Sequence, residues 1–322
     1  AFTGAVGQQR VGKNFISNYF IPIPPLVEQK RIVDKINELF YLISLIETDK
    51  ITLQATIQLT KSKILDLAIR GKLVPQDPND EPASVLLEHI RAEKEELIKQ
   101  GKIKRDKKES VIFRGEDNSY YEKVGDTISC FDEELPFDVP DSWEWMRLEN
   151  CCSKEIKRGK SPKYTDVSNT LVFAQKCNTK NNGINIDLAL CLDESVLSKY
   201  PKDAFMQDKD TVINSTGTGT LGRVGIYRQS DNRNNLPIVS DSHVTVIRAV
   251  HCIDADYIYI VLKAHQKNLE KLGEGSTNQK ELKPATLKQL FIPLPPLKEQ
   301  KRMVDLINSL YNELDQIDKI LS

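Results

Sequence analysis

The chain has 322 residues, with 45 Lys+Arg against 46 Asp+Glu and a net charge of −1 at pH 7. That balance excludes a globally basic nucleic-acid coat and a disordered acidic tail. No stretch approaches the ~18 consecutive apolar residues of a membrane span, and no basic-then-apolar leader opens the chain, so a cytoplasmic protein of more than one domain is expected. The first residue is Ala1, not Met, which reads as a fragment or a processed product. The six cysteines (Cys130, Cys151, Cys152, Cys177, Cys191, Cys252) form no CxxC pair. The four histidines are not spaced to complete a zinc site, so reduced thiols and no bound metal are expected.

In chain order, residues 1–19 are a short lead-in. Residues 20–39, FIPIPPLVEQKRIVDKINEL, return at 291–310 as FIPLPPLKEQKRMVDLINSL, with fifteen of twenty positions identical at an offset of 271. This offset is far longer than the ~20–50 residues of a solenoid unit, so it marks two large halves. Each copy opens on consecutive prolines, which force an extended path before a helix. The first helix is predicted over 28–70, about 64 Å at ~1.5 Å per residue. Its apolar positions step by 4 and 3 through Ile32, Ile36, Leu39, Ile43 and Ile46 to Ile64 and Leu67. The second helix repeats this with Met303, Ile307, Leu310, Leu314, Ile317 and Leu321. A spacing averaging 3.5 predicts a coiled coil.

Gly71 supplies a helix stop, and residues 72–80 form a turn-rich linker. A short charged helix is predicted over 84–99. Residues 101–125 read as a polar, flexible linker whose basic run, 102–108, is a solvated segment or a phosphate contact. From 136 to 290 the character changes. Short β-rich runs occur at 143–148, 171–176, 210–215, 223–228, 237–240 and 244–248, and a helix is predicted over 255–272. The fold class is therefore α+β: a mixed module joined to long helices.

Residues 141–290 carry 21 Lys+Arg and 18 Asp+Glu, only a weak basic excess. Seven of the cations fall between 151 and 180, among loops rich in Asn, Thr and Gln. Those side chains read base edges or fix phosphates, although such loops are also ordinary solvated turns. Gly217-Thr218-Gly219-Thr220-Leu221-Gly222 satisfies G-x-G-x-x-G, but the alternating run after it predicts a strand. A dinucleotide site needs a helix there, so a tight hairpin facing a phosphate is the better reading. Asp141, Glu155 and Lys157 satisfy a loose metal-dependent nuclease pattern, which a Pro-Asp-Ser turn explains equally well.

The duplicated Ile-Pro-x-Pro-Pro-Leu-x-Glu-Gln-x-Arg motif, the run from Ile69 to Ala83 and the Pro-Phe…Pro…Trp-x-Trp opening at 136–145 together resemble the specificity subunit of type I restriction–modification systems. The resemblance covers essentially the whole chain. It implies two target-recognition domains, each reading half of a bipartite DNA site, held apart by conserved helices in an antiparallel coiled coil. It implies no catalytic centre and no cofactor in this chain, with S-adenosylmethionine, ATP and Mg²⁺ in partner subunits. The implied partners are duplex DNA, modification subunits and restriction subunits, and a homodimer stays open.

By position, 1–19 is the remnant of a proximal recognition domain and 20–75 the central conserved helix region. Residues 76–135 are a linker with a short helix, 136–290 the distal recognition domain and 291–322 the distal helix. The stripe around 53–67 is expected to stand uncovered by the shorter second helix. On this reading Arg158, Arg223 and Arg233 are candidates for guanine contacts, and Lys160, Lys163, Thr216 and Thr218 for phosphates. Lys157, Lys180, Asn181, Asn234, His243, Asn278, Gln279 and Lys280 complete the candidate DNA-binding set. The alternatives are a Mg²⁺-dependent nuclease built on Asp141, Glu155 and Lys157, and a coiled-coil scaffold with no DNA role.

Overall fold

The computed structural model describes residues 2–3, 10–105, 110–180, 183–274 and 280–321. It divides into two units, residues 1–58 with 321–322, and residues 59–320. In the first unit, β1 (Phe2–Thr3) and β2 (Arg10–Val11) pair antiparallel, and α1 (Lys13–Ser17) follows. The proline run then leads into α2 (Leu26–Ile69), whose last eleven residues belong to the second unit. The Gln29 side chain donates to the Pro24 carbonyl at 2.8 Å, tying the prolines to the first turn. Apolar side chains here face solvent: Phe20 is 95% exposed and Ile23 82%, and Ile32, Ile36, Leu39, Ile43 and Ile46 are all exposed.

The second unit begins with the end of α2 and continues into α3 (Ala83–Lys99), which buries Ala83, Leu86 and Ile90 on one face. Three strands follow in a meander: β3 (Ser110–Arg114), β4 (Tyr120–Val124) and β5 (Thr127–Cys130). This differs from the flexible-linker expectation for 101–125. Ile112 and Tyr120 gain a place in an apolar cluster with Phe131 and Trp145, a contact that local polarity does not reveal. Next come β6 (Glu144–Arg147), β7 (Tyr164–Thr165), β8 (Leu171–Phe173) and β9 (Leu190–Leu192). They are followed by β10 (Thr211–Asn214), β11 (Val224–Ile226), β12 (Ile238–Ser240) and β13 (Val244–Ile247). The predicted helix over 255–272 breaks at His265 into α4 (Ala255–Ala264) and α5 (Gln266–Lys271). The chain ends with α6 (Pro284–Lys288), β14 (Phe291–Leu294) and α7 (Leu297–Leu321).

Two sheets build the module: an antiparallel β11-β10-β13 and a mixed β12-β8-β9-β7, in which β12 and β8 run parallel. The second copy of the repeat is a strand, with β14 pairing antiparallel with β6 so that Pro293 sits opposite Trp145. A proline fits because this ladder has only two strands and an open side. Ile292 and Leu294 are buried, Arg147 lies over the Phe291 ring, and Trp143 Nε1 donates to Glu299 Oε2 at 3.1 Å.

One apolar core joins the end of α2 with α3, β6, α4, β14 and α7. Helix α7 lies antiparallel to the last turns of α2: Tyr311 Oη donates to the Lys61 carbonyl at 2.9 Å, and Lys61 pairs with Asp315. Within the second unit the stripe expected to stand uncovered is partly covered: Ile64 and Leu65 are buried, Leu59 stays exposed, and a longer exposed stretch lies earlier in α2, at 32–53. Within the second unit Ile64, Leu65, Ala68 and Ile69 are buried at 3.6-residue spacing. Ile64 lies on the 3.5-residue seam, and Leu65, Ala68 and Ile69 widen the buried face towards the core.

Candidate nucleic-acid interface

Strand register places three chain segments at one end of the β11-β10-β13 sheet. Asn214 pairs with Val244, and Ile213 with Val224, so loops 215–223 and 241–243 emerge side by side. All four residues of β10 are buried, which gives these loops a rigid base. The buried Asn214 amide donates to the Gln175 carbonyl at 3.1 Å and accepts from Asn178 Nδ2 at 3.3 Å. That brings the 175–180 turn to the same end. Sequence reasoning missed Asn214 and Gln175 as organisers. The available signal was an Asn closing the apolar run Thr211-Val212-Ile213.

Loop 216–223 is a hairpin connection between antiparallel strands, as the strand after the glycines predicted, and not the start of a nucleotide-binding helix. Gly217 (φ 98°) and Gly222 (φ 74°) hold left-handed conformations. At Gly222 a Cβ would also sit 2.5 Å from the Glu270 backbone nitrogen, so the loop base packs directly on α5. The Thr220 hydroxyl reaches the Thr216 carbonyl (3.1 Å) and Gln175 Oε1 (3.2 Å). The Arg223 guanidinium donates to the carbonyls of Asn178 (2.7 Å) and Gly219 (3.0 Å). Arg223 therefore braces the loop from beneath, while Thr218 and Lys180 are exposed at the surface.

Arg158 bridges to Thr245 on β13 and pairs with Glu281 at 2.9 Å. Thr216 Oγ1 lies 2.7 Å from His243 Nδ1, and the His243 amide donates to Asp241 Oδ1 at 2.8 Å. Burial pushes the Asp241 carboxyl up from its ordinary range. Lys160 donates to the Lys199 carbonyl. Lys163 pairs with Asp193 at 2.6 Å and holds that carboxyl well below the usual carboxylate range. Ser161 and Ser242 hydroxyls lie 3.4 Å apart and tie this segment to the same sheet end. Lys157 lies on the flank, 3.6 Å from Glu155 and 3.8 Å from Asp203. Lys280 is exposed beside Glu281. Asn181, Asn278 and Gln279 lie outside the described residues.

Arg233 and Asn234 do not join this group. They follow β11, whose far end, Ile226, faces Thr211 at the opposite edge of the sheet. Arg233 instead lines a small cavity with Asn185, Asp187 and Asp231. The nuclease pattern also fails to assemble: Asp141 is 94% exposed and pairs with Arg114, whereas Glu155 sits by Lys157. Among the described residues no group of three or more His, Cys, Asp or Glu side chains is placed to hold a metal ion. No described helix is long and apolar enough to cross a membrane.

The family described as type I restriction modification DNA specificity domain matches residues 1–55 and 140–321. The chain is similar to the type I restriction enzyme EcoEI specificity subunit of Escherichia coli, at 27% identity over 98% of this chain and 57% of the relative. It is also similar to the Escherichia coli EcoAI specificity subunit, at 26% identity over 99% of this chain and 58% of that relative. It thus spans under three-fifths of the length of these relatives. Among solved structures, a chain from a type I R-M system studied for complex assembly and conformational transition aligns with TM-score 0.61 at 18% identity, covering 99% of this chain and 61% of the other. The HsdS subunit from Thermoanaerobacter tengcongensis aligns with TM-score 0.50 at 18% identity, covering 99% of this chain and 60% of the other, a likeness of fold.

Proposed function

Because the chain belongs to the type I restriction modification DNA specificity domain family, we propose that it recognises duplex DNA by sequence, reads one half of a bipartite target, and leaves the chemistry to partner subunits. The observation that carries this is the convergence of loops 215–223, 241–243 and 175–180 with Arg158 on one rigid sheet end. Base readout needs donors and acceptors held on a rigid base, and that end supplies them.

The roles follow from the contacts. Arg158 is the best base reader. Its partner Glu281 is 40% exposed, so the ion pair contributes at most ~1 kcal/mol and releases the guanidinium cheaply to a guanine. Thr218, Lys180 and Lys280 take phosphates at the rim, joined by Lys160 and Lys163. Arg223 is a positioning residue, since both its terminal nitrogens already hold the loop.

Modification and restriction subunits would bring S-adenosylmethionine, ATP and Mg²⁺. The exposed apolar stripe of α2, from Ile32 to Ile46, supports a docking role for that helix towards modification subunits. A homodimer would use the same stripe. The test is selection from a random-sequence duplex library by the chain assembled with its modification subunit. Enrichment of one short half-site is expected, and a flat library after repeated rounds would overturn the reading.

A further inference from the structure

The near-zero net charge of the chain conceals a strong local excess away from the loop cluster. A cleft of about 660 Å³ opens between the end of α3 with residues 101–105, the segment 149–157, Asp203 and Lys288 of α6. Seven Lys or Arg side chains line it against three acids. Residues 101–105, the start of the basic run for which the sequence left a solvated segment or a phosphate contact open, form one wall. Lys102, Lys104 and Lys288 make no ion pair among the described residues.

The opposite wall runs beside β13 and bends at Ser153 and Lys154. Residues 152–158 run antiparallel beside β13, with Cys152 opposite Ala249 and Arg158 opposite Thr245. Lys154 on this wall is buried, and among the described residues its ammonium donates to the Asp203 carbonyl alone, at 2.8 Å. Burial, with Arg248 nearby, pulls that ammonium down to about 8, so an anion in the cleft would relieve an existing cost. Capping of the α3 C-terminus explains Lys102 and Lys104 alone. It does not explain why Lys288 and Lys154 converge on them from other elements.

We propose that this cleft binds the sugar–phosphate backbone of duplex DNA, outside the bases met by the loop cluster. The proposal rests on the DNA-recognition reading above. Cys152 and Arg158 face residues four apart, Ala249 and Thr245, so the segment that carries Lys154 and Arg158 spans ~13 Å at ~3.3 Å per residue. That matches about four phosphates at ~3.4 Å per strand along the duplex axis. The segment thus connects the base-reading end to a sequence-independent clamp.

The test compares the full chain with the triple variant Lys102→Ala/Lys104→Ala/Lys288→Ala, in complex with the modification subunit, on a labelled duplex of mixed sequence across salt. Losing three phosphate contacts lowers the salt slope by ~2.7, so the variant should lose about 40-fold less affinity than the parent between 50 and 200 mM salt. Its preference among sequences in the library selection should be unchanged. An unchanged slope overturns the clamp while leaving the recognition reading intact. Salt-dependent binding that the variant loses, without sequence enrichment in the parent, supports the clamp and sinks the recognition reading. Absence of duplex binding by the parent sinks both. Inorganic tripolyphosphate is the second probe: if it binds the parent and not the variant while the duplex slope stays equal, the cleft takes a small anion and the DNA proposal is overturned.

Discussion

The two copies of the repeat share fifteen of twenty residues and occupy opposite environments. In the first, Phe20, Ile21 and Ile23 are 95%, 73% and 82% exposed; the counterparts of the two isoleucines, Ile292 and Leu294, are 1% and 0% exposed. Phe291 stacks on Phe131 at 5.3 Å between ring centres. One local feature survives in both: the Gln29 amide donates to the Pro24 carbonyl at 2.8 Å, and the Gln300 amide to the Pro295 carbonyl at 2.9 Å. The same residues therefore set the same proline-to-helix corner. Neighbours decide the rest. Around the second copy, β6 supplies the paired strand, Trp143 and Gln76 donate to Glu299, Gln300 accepts from the Asp254 amide, and Arg302 reaches Asp80 at 2.6 Å.

Paired substitutions can break this contrast. The largest effect is expected in the apolar core. Leu294→Ala should cost ~2–5 kcal/mol by lost burial and cavity formation. The matching Ile23→Ala should stay within ~0.5 kcal/mol, as at other solvent-facing positions. Urea unfolding of both variants checks this, and equal losses would show that the first copy is buried in solution. Next comes the ion pair. Arg302→Ala removes the partner of Asp80, whose side chain is 3% exposed, and a loss of ~1–2 kcal/mol is expected because Arg302 itself is partly exposed. Arg31→Ala, on an exposed face, should leave the unfolding midpoint in place.

The smallest effect is one of pH. Burial pushes the Glu299 carboxyl above its ordinary range, against the lowering pull of Gln76 and Trp143. The folded state then binds more protons than the unfolded state just above pH 4.5, so this group's contribution to stability falls as pH rises through that window. Glu299→Gln should remove that component of the pH slope, and Glu28→Gln should not. Stability titrations in steps from pH 4 to 7 read the difference, and identical slopes in the parent and Glu299→Gln would contradict the buried geometry.

Much of the module was legible because its strands are short apolar runs fenced by turns. Each of the six predicted runs contains an observed strand: β6, β8, β10, β11, β12 and β13. The β3–β5 meander was not legible. Its residues alternate weakly and carry charge, and it is held through Trp145 and Phe291 from elsewhere in the chain. The proline run hid β14 for a related reason, since its pairing depends on a Trp-containing strand nearly 150 residues away. At the interface, Gly, Asn and Thr marked the loops, but marking a loop does not say at which end of a sheet it emerges. Loops 216–223 and 229–236 flank the same strand, β11, so they must leave from opposite ends. That alternation, available once the strands were assigned, would have separated Arg233 and Asn234 from Arg158.

The most direct measurement is a library selection by the assembled complex, run in parallel with the parent chain and with Arg158→Ala. The account predicts one enriched half-site for the parent. For the variant it predicts relaxed choice at a single position, by the ~1–3 kcal/mol that a bidentate arginine–guanine contact discriminates, with the other positions kept. Uniform weakening with every position retained, or no enriched sequence in either selection, would contradict it.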